Sequence, residues 1–363
     1  MTGERGGVYP RAGQWTAFAG GGTFRPRIFG GLGNSLMPNP QVLGTGSYLP
    51  EKVVDNGFLA RLFGCDEDWI LRRTGIRERR FAPEGTGASG LGLEASRRAL
   101  EASGVRAEDL DLVVCATYTP DMSFPSTACL IQNALGARKA AAFDLQAACS
   151  GFVYGLITAG QFIASGLYRR VLVVASDVNS AIMNPADRKV TALFGDGAGA
   201  VVLGPSDGES GVIAQYMGAD GAGGHLFCRP AGGSRMQLTP QVLERGLHYI
   251  QMDGPSLFRA GVEMMVGASR KALEIARLAV SDVDLFIPHQ ANQRMLDAGL
   301  QRLGIPTEKT VVNLDRYANT SAATIPIALD EVVRSGRVER DDIVLLTGFG
   351  AGLTWASAVI RWA

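Results

Sequence analysis

Part of this chain is written twice. Ala95-Ser-Arg-Arg-Ala-Leu-Glu101, followed by Asp109-Leu-Asp-Leu112, returns 173 residues later as Ala268-Ser-Arg-Lys-Ala-Leu-Glu274, followed by Asp282-Val-Asp-Leu285, with no gap between the two matches. Ser165-Gly166 before Val171-Leu-Val-Val174 is mirrored by Ser335-Gly336 before Ile343-Val-Leu-Leu346, and Phe194-Gly-Asp-Gly-Ala-Gly199 by Phe349-Gly-Ala-Gly352. Helices reuse Ala, Leu, Glu and Arg, so chance supplies one such match. Three in the same order mean duplication.

Each copy alternates short β-branched runs with amphipathic stretches. In the first copy, strands are expected at 110–116, 140–145 and 170–175, and helices over 125–135 and 149–165. In the second, strands are expected at 283–288, 309–313 and 342–347, and helices over 291–303 and 320–335. The expected fold is α/β, with two βαβ-rich halves, 38–205 and 206–363, packed about a pseudo-twofold axis. Buried strands need cover on both faces, so helices should lie between and outside two sheets, in five layers α-β-α-β-α.

Residues 1–37 read differently. Glycine takes ten of the first 36 positions, and four arginines face a single acid, Glu4. A flexible extension is expected there, with translation starting naturally at Met37. A targeting peptide would be richer in hydroxyl residues. A partner-binding arm is the other alternative.

Charge and cysteine content exclude several functions. Thirty-five basic residues balance 35 acidic ones over 363 positions, so no general electrostatic attraction to nucleic acid or anionic membrane is expected. No apolar run is long enough for a membrane helix. Five scattered cysteines (65, 115, 129, 149 and 228) and three histidines (225, 248 and 289) form neither a disulfide framework nor a metal site, which suits a reducing, cytoplasmic setting.

Equivalent strand-to-helix turns of the two halves carry the chemistry. Gln146-Ala-Ala-Cys149-Ser-Gly follows the 140–145 strand, and Tyr317-Ala-Asn319-Thr-Ser follows the 309–313 strand. At the N-terminus of an apolar helix, free amides and the helix dipole favour a thiolate, so Cys149 has the placement of a nucleophile. It has equally the character of a small buried hydrophobe, and both readings stand. His289 ends a strand in Ile287-Pro-His-Gln-Ala-Asn292, where α/β folds present side chains to ligands. Asn319 is a turn former that stands out by lying opposite Cys149 in the repeat. His225 and His248 receive no role, and the other four cysteines read as packing residues. Gly85-Thr-Gly-Ala-Ser-Gly90 fits the dinucleotide-binding glycine pattern, but no buried strand leads into it, so it reads as a loop.

Ala147-Ala-Cys149-Ser-Gly, His289-Gln-Ala-Asn292 and Tyr317-Ala-Asn319-Thr-Ser, in this order, resemble the β-ketoacyl-acyl carrier protein synthase III family of the thiolase superfamily. Asp68 to Arg77, Phe124-Pro-Ser126 and Phe349 to Trp355 extend the resemblance over residues 40–363. It implies a duplicated thiolase-like fold and a decarboxylative condensation of acyl-CoA with malonyl-acyl carrier protein, starting fatty-acid chains without a cofactor or metal. Cys149 would carry the acyl group. His289 and Asn319 would hold the malonyl thioester carbonyl as its enolate forms, and the amides of Cys149 and Ala351 would hold the oxyanion. Trp69 and Arg73 would flank the CoA adenine, with Thr74, Arg188, Met252, Phe258 and Asn292 along the tunnel. Arg259, Arg294 and Arg302 would face the acidic carrier protein. Phe124 would cross a homodimer interface into the partner's acyl pocket. An enzyme of specialised metabolism that loads or transfers an unusual starter is the alternative within the fold. An NAD-dependent oxidoreductase and an inert scaffold are the alternatives outside it. The polar excursion 218–240 stands outside the pattern.

Overall fold

The computed structural model describes residues 38–206 and 208–363, so the expected extension over 1–37 lies outside the described residues. The first half contains β1 (Pro40–Tyr48), α1 (Glu67–Thr74), α2 (Ala88–Ser103), β2 (Leu112–Ala116), α3 (Thr127–Leu135), β3 (Ala141–Leu145), α4 (Gly151–Ala164), β4 (Val171–Asp177) and β5 (Gly197–Pro205). The second contains β6 (Gly211–Ala219), α5 (Gly254–Ala276), β7 (Leu285–Pro288), α6 (Gln293–Leu303), α7 (Thr324–Arg334), β8 (Ile343–Gly350) and β9 (Thr354–Arg361).

The strands form one five-stranded sheet, β1-β5-β4-β2-β3, and one four-stranded sheet, β7-β8-β9-β6. Both follow one plan. β2 runs parallel to β4 as β7 does to β8, and β4 is antiparallel to β5 as β8 is to β9. The counterpart of β3 is missing as a strand. Residues 309–313, expected to be one, meet β7 only through an isolated bridge between Phe286 and Thr310. The reason is local, because Pro288 ends β7 and the buried Gln290 side chain takes over the pairing. It donates to the Val311 carbonyl at 3.2 Å and accepts from the Asn313 amide at 2.9 Å.

Alternation along the strands builds the layers. Leu112, Val114 and Ala116 of β2 and Val344 and Leu346 of β8 face a common core with Phe152, Leu156 and Ile163 of α4 and Ile325, Ala328 and Leu329 of α7. The opposite faces pack outward. Val113 and Cys115 meet Leu91, Ala95 and Ile131 of α2 and α3, while Leu345 meets Met265, Leu273 and Leu300 of α5 and α6. The result is α-β-α-β-α, with α4 and α7 in the middle layer. Pro125, expected in the first turn of α3, lies just before it, because the Ser126 side chain caps the helix by accepting from the Cys129 amide.

The glycine pattern at 85–90 is a turn feeding α2, and a short strand, Glu78–Arg80, does precede it. The Asp121 carboxylate occupies the helix start, accepting from the Ser89 amide at 2.9 Å and the Ser89 hydroxyl at 2.7 Å. The place a pyrophosphate would need is filled by a fixed negative charge. Among the described residues, no helix is long and apolar enough to cross a membrane, and no cluster of three or more His, Cys, Asp or Glu is arranged to hold a metal ion.

Candidate active site

Two 3₁₀ turns, Ala148–Ser150 and Ser321–Ala323, precede α4 and α7 and keep the 173-residue offset of the repeat. Both open on a residue in the left-handed region, Ala148 at φ 45° and Ser321 at φ 57°. A non-glycine residue there is strained. Cys149 therefore sits in the turn before α4 and not in the helix proper, and its counterpart by offset is Ala322. The turn is clamped from the second half, where the Thr354 hydroxyl reaches the Ala147 carbonyl at 2.9 Å and Ser150 Oγ at 2.8 Å. Gly350 lies against Cys149 so closely that an added Cβ would fall 2.8 Å from the Cys149 nitrogen.

Cys149, His289 and Asn319 meet on one cavity of about 190 Å³. His289 leaves the end of β7 with its amide bonded to the Thr347 carbonyl at 2.8 Å. Its Nδ1 lies 2.7 Å from Thr324 Oγ1, and its ring meets Phe349 edge-on at 5.2 Å. Asn319 is tied to the first half, since its amide donates to the Leu193 carbonyl and its carbonyl accepts from Gly195, each at 3.0 Å. Its side-chain Oδ1 accepts from the Ser321 amide at 2.8 Å, which leaves the NH₂ group as the donor for a ligand.

Burial governs both titrating groups. The Cys149 thiol is pushed up to about 12, with desolvation the largest cause and the nearby Asp177 charge acting the same way. The His289 ring is pulled down to about 3 by desolvation, against a bond to the Ser321 backbone. The free site thus pairs a thiol with a neutral imidazole, which corrects the expectation of a dipole-stabilised thiolate. Leaving water outweighs the helix start, because desolvation moves a buried group by up to 3–5 pKa units whereas a helix end contributes about 0.3–1 kcal/mol.

Met252, Phe258, Asn292 and Ala351 line the same cavity. Asn292 also caps α6, accepting from the Arg294 amide at 2.9 Å, and donates to the Arg73 carbonyl at 3.0 Å. Nearby, the Arg73 and Arg188 guanidiniums stack on the Trp69 ring, 4.9 and 4.8 Å from its centroid. Thr74 is not brought to the cavity. It is buried, with its hydroxyl donating to the Ile70 carbonyl at 2.8 Å and accepting from the Ile76 amide at 3.0 Å, and so closes the end of α1.

Arg302 is held by Glu263 through a bidentate pair at 2.5 and 2.9 Å. Arg259 reaches Ser256 Oγ at 3.5 Å, and Arg294 follows the Asn292 cap at the start of α6. Phe124 is 84% exposed. Of the cysteines read as packing residues, Cys115 is buried in the core, whereas Cys129 is exposed on α3 and Cys228 lines a second cavity of about 330 Å³. That cavity shares Phe227 and Ala351 with the first and is bounded by Ala147 and Ala148 beside Cys149. Ser321, Thr324, Asp177 and Gln290 received no role from the sequence. The repeat offset, applied to Ala148, would have singled out Ser321.

The profile described as 3-Oxoacyl-[acyl-carrier-protein (ACP)] synthase III matches residues 143–221, and its C-terminal counterpart matches residues 273–362. A β-ketoacyl-[acyl-carrier-protein] synthase III of Caldanaerobacter subterraneus is 49% identical over 322 residues, 89% of this chain and 97% of the relative. That of Roseiflexus sp. is 51% identical over 319 residues, 88% and 97% of the two chains. This chain belongs to the β-ketoacyl-acyl carrier protein synthase III family. Among solved structures of the family, the Aquifex aeolicus synthase superposes with a TM-score of 0.82 at 41% identity, covering 89% of this chain and all of that one. The priming β-ketosynthase of the R1128 polyketide pathway superposes at 0.84 with 39% identity, covering 92% and 98%. The thiolase-like architecture that the resemblance implied is therefore the family's own fold, and the duplicated layers read from the repeat agree with it.

Proposed function

We propose that this enzyme joins an acyl-CoA starter to malonyl-acyl carrier protein, releasing CO₂ and giving a β-ketoacyl-acyl carrier protein that begins a fatty-acid chain. It is an acyltransferase of the condensing type. The observation that carries the reading is the convergence of Cys149, His289 and Asn319 on one apolar cavity in a chain of this family.

The Cys149 sulfur attacks the acyl thioester, the acyl–sulfur bond to CoA breaks, and CoA leaves with the proton Cys149 gives up. Malonyl-acyl carrier protein follows. The His289 ring and the Asn319 NH₂ donate to the malonyl thioester oxygen as the carbon–carboxyl bond breaks, so that charge accumulates on an oxygen already held by donors. The resulting carbanion attacks the acyl carbon on Cys149, with the amides of Cys149 and Ala351 facing the oxyanion; as that intermediate collapses the acyl–sulfur bond breaks, and the Cys149 sulfur leaves with the electron pair and takes a proton from solvent. Keeping His289 and Asn319 beside the nucleophile favours condensation over simple acyl transfer, which has no enolate to stabilise. Each bond change closes without a redox or metal group.

Trp69, Arg73 and Arg188 would grip the nucleotide end of CoA, with Met252, Phe258 and Asn292 along the pantetheine. Arg259 and Arg294 would steer the acidic carrier protein, and Arg302, neutralised by Glu263, would contribute less. Phe124 would close a partner's acyl pocket in a cytoplasmic homodimer. The test is to weigh the intact protein after incubation with a panel of acyl-CoAs and no malonyl donor. A gain of one acyl group mapped to Cys149 is expected. No adduct from either CoA or carrier-protein donors would overturn the reading.

A further inference from the structure

Ser321 touches Cys149 and Asn319 directly and His289 through Thr324. Its Oγ lies 3.5 Å from Cys149 Sγ, its amide holds Asn319 Oδ1 at 2.8 Å, and its carbonyl stands 3.1 Å from Thr324 Oγ1. That same hydroxyl oxygen stands 2.7 Å from His289 Nδ1. The backbone contacts need no particular side chain. A φ of 57° favours glycine, and the equivalent turn of the other half is made by Ala148. A serine kept in a fully buried, strained position therefore points to work done by its hydroxyl.

A buried carboxylate adjoins the turn. Asp177 is fully buried at the end of β4, and its Oδ1 accepts from Thr117 Oγ1 at 3.0 Å, the Tyr118 amide at 3.0 Å and Thr119 Oγ1 at 3.1 Å. Its Oδ2 accepts from the Ala322 amide at 3.3 Å, and the Ser321 side chain works against the burial that raises this carboxyl. The Ser321 hydroxyl itself is directed at the sulfur in the resting site, next to a buried acid.

We propose that Ser321 is a fourth catalytic residue, whose hydroxyl, directed at the Cys149 sulfur, tightens that bond as negative charge develops there. This rests on Cys149 being the acylated residue. In the acyl-transfer step the Cys149 S–H bond breaks and a sulfur–acyl bond forms. The bond from the acyl carbon to the CoA sulfur breaks, and that sulfur leaves with the electron pair and ends as a thiol with the proton from Cys149. Ser321 keeps its own proton throughout. An interaction that strengthens as the thiolate forms lowers the barrier by more than it stabilises the resting thiol. The Ser321 bond is also the largest influence opposing the desolvation of the Cys149 thiol.

The experiment compares Ser321→Ala and Ser321→Gly with the unaltered enzyme, following alkylation of Cys149 by iodoacetamide from pH 6 to 10 by peptide mass, and acylation by acyl-CoA in a single turnover. Both variants should alkylate about tenfold more slowly at a given pH, with the profile displaced upward, and should acylate correspondingly slowly. Glycine suits φ 57° better than serine, so a stable Gly variant decides the matter if the Ala variant melts early. Profiles that superpose on the unaltered enzyme would overturn the proposal, and so would displacement in only one variant, which assigns the effect to the backbone. If the unaltered enzyme takes no acyl group on Cys149, the functional reading fails. If it does and the variants match it, only the role of Ser321 fails.

Discussion

Cys149 and His289 show how burial and pairing divide the control of a reactive residue. A thiol pushed up to about 12 beside a ring pulled down to about 3 carries no net charge at neutral pH, so the cavity stays apolar until substrate arrives. Asn319→Ala should leave acylation of Cys149 within about twofold and slow decarboxylative condensation by roughly 10²–10³, the usual loss for one oxyanion donor. Single-turnover rates of the two half-reactions check this, and equal loss in both would reduce Asn319 to a fold-holding residue. The pH dependence has a definite sign. His289 stays neutral in the folded enzyme but takes a proton near pH 6.5 when unfolded, so its contribution is complete above 6.5 and is lost as pH falls towards 3. Asp177, raised to about 6 by burial, acts oppositely, with stability present below 3.8 and lost as pH rises through 6. His289→Gln removes only the first effect. Its stability relative to the unaltered enzyme should therefore rise as pH drops below 6.5, by on the order of 2 kcal/mol at pH 5. Paired denaturant titrations at pH 7.5 and 5 measure it, and a pH-independent difference would contradict a neutral His289.

At the scale of elements, hydrophobic period identified most strands and helices, because each alternates against two apolar layers. It failed at 309–313, where Lys309, Thr310, Val311 and Val312 have strand character but lie beside a Gln290 side chain that performs the ladder's bonding. No local pattern shows a side chain replacing a strand. The link between the halves was equally hidden. Asp330 of α7, 2% exposed, accepts from Thr45 Oγ1 at 2.8 Å and Ser47 Oγ at 2.6 Å of β1, and from Arg334 Nε at 2.9 Å. Asp330→Ala strands two hydroxyls and a cation at that joint and should cost about 2–4 kcal/mol, whereas Asp330→Asn, which keeps an acceptor, should cost less. Urea midpoints of the two variants give the order, and reversal would mean that the carboxylate charge is a burden.

For the whole molecule, the expectation tied to the proposed homodimer concerns Phe124, an aromatic ring 84% exposed near Met122, itself 48% exposed. Phe124→Asp should shift sedimentation from dimer to monomer and alter the preferred acyl-CoA, while an unchanged dimer would remove Phe124 from the interface. Duplication, layer order and the strand-to-helix turn at Cys149 were legible in the chain, since they follow from repeated words and from the spacing of apolar residues, which are local properties. Cys149, His289 and Asn319 were legible as well, through motifs carried at strand ends. The chemistry of those residues was not. Whether Cys149 rests as thiol or thiolate depends on water excluded by residues up to about two hundred positions away, such as Thr354 and Gly350. The partner of its sulfur, Ser321, is brought within reach only when the two halves fold against each other. Sequence by itself determined most of the elements and the residues that share the cavity. Tertiary structure alone decided their charge and their neighbours, because desolvation and hydrogen bonding are set by atoms that meet only in the packed molecule.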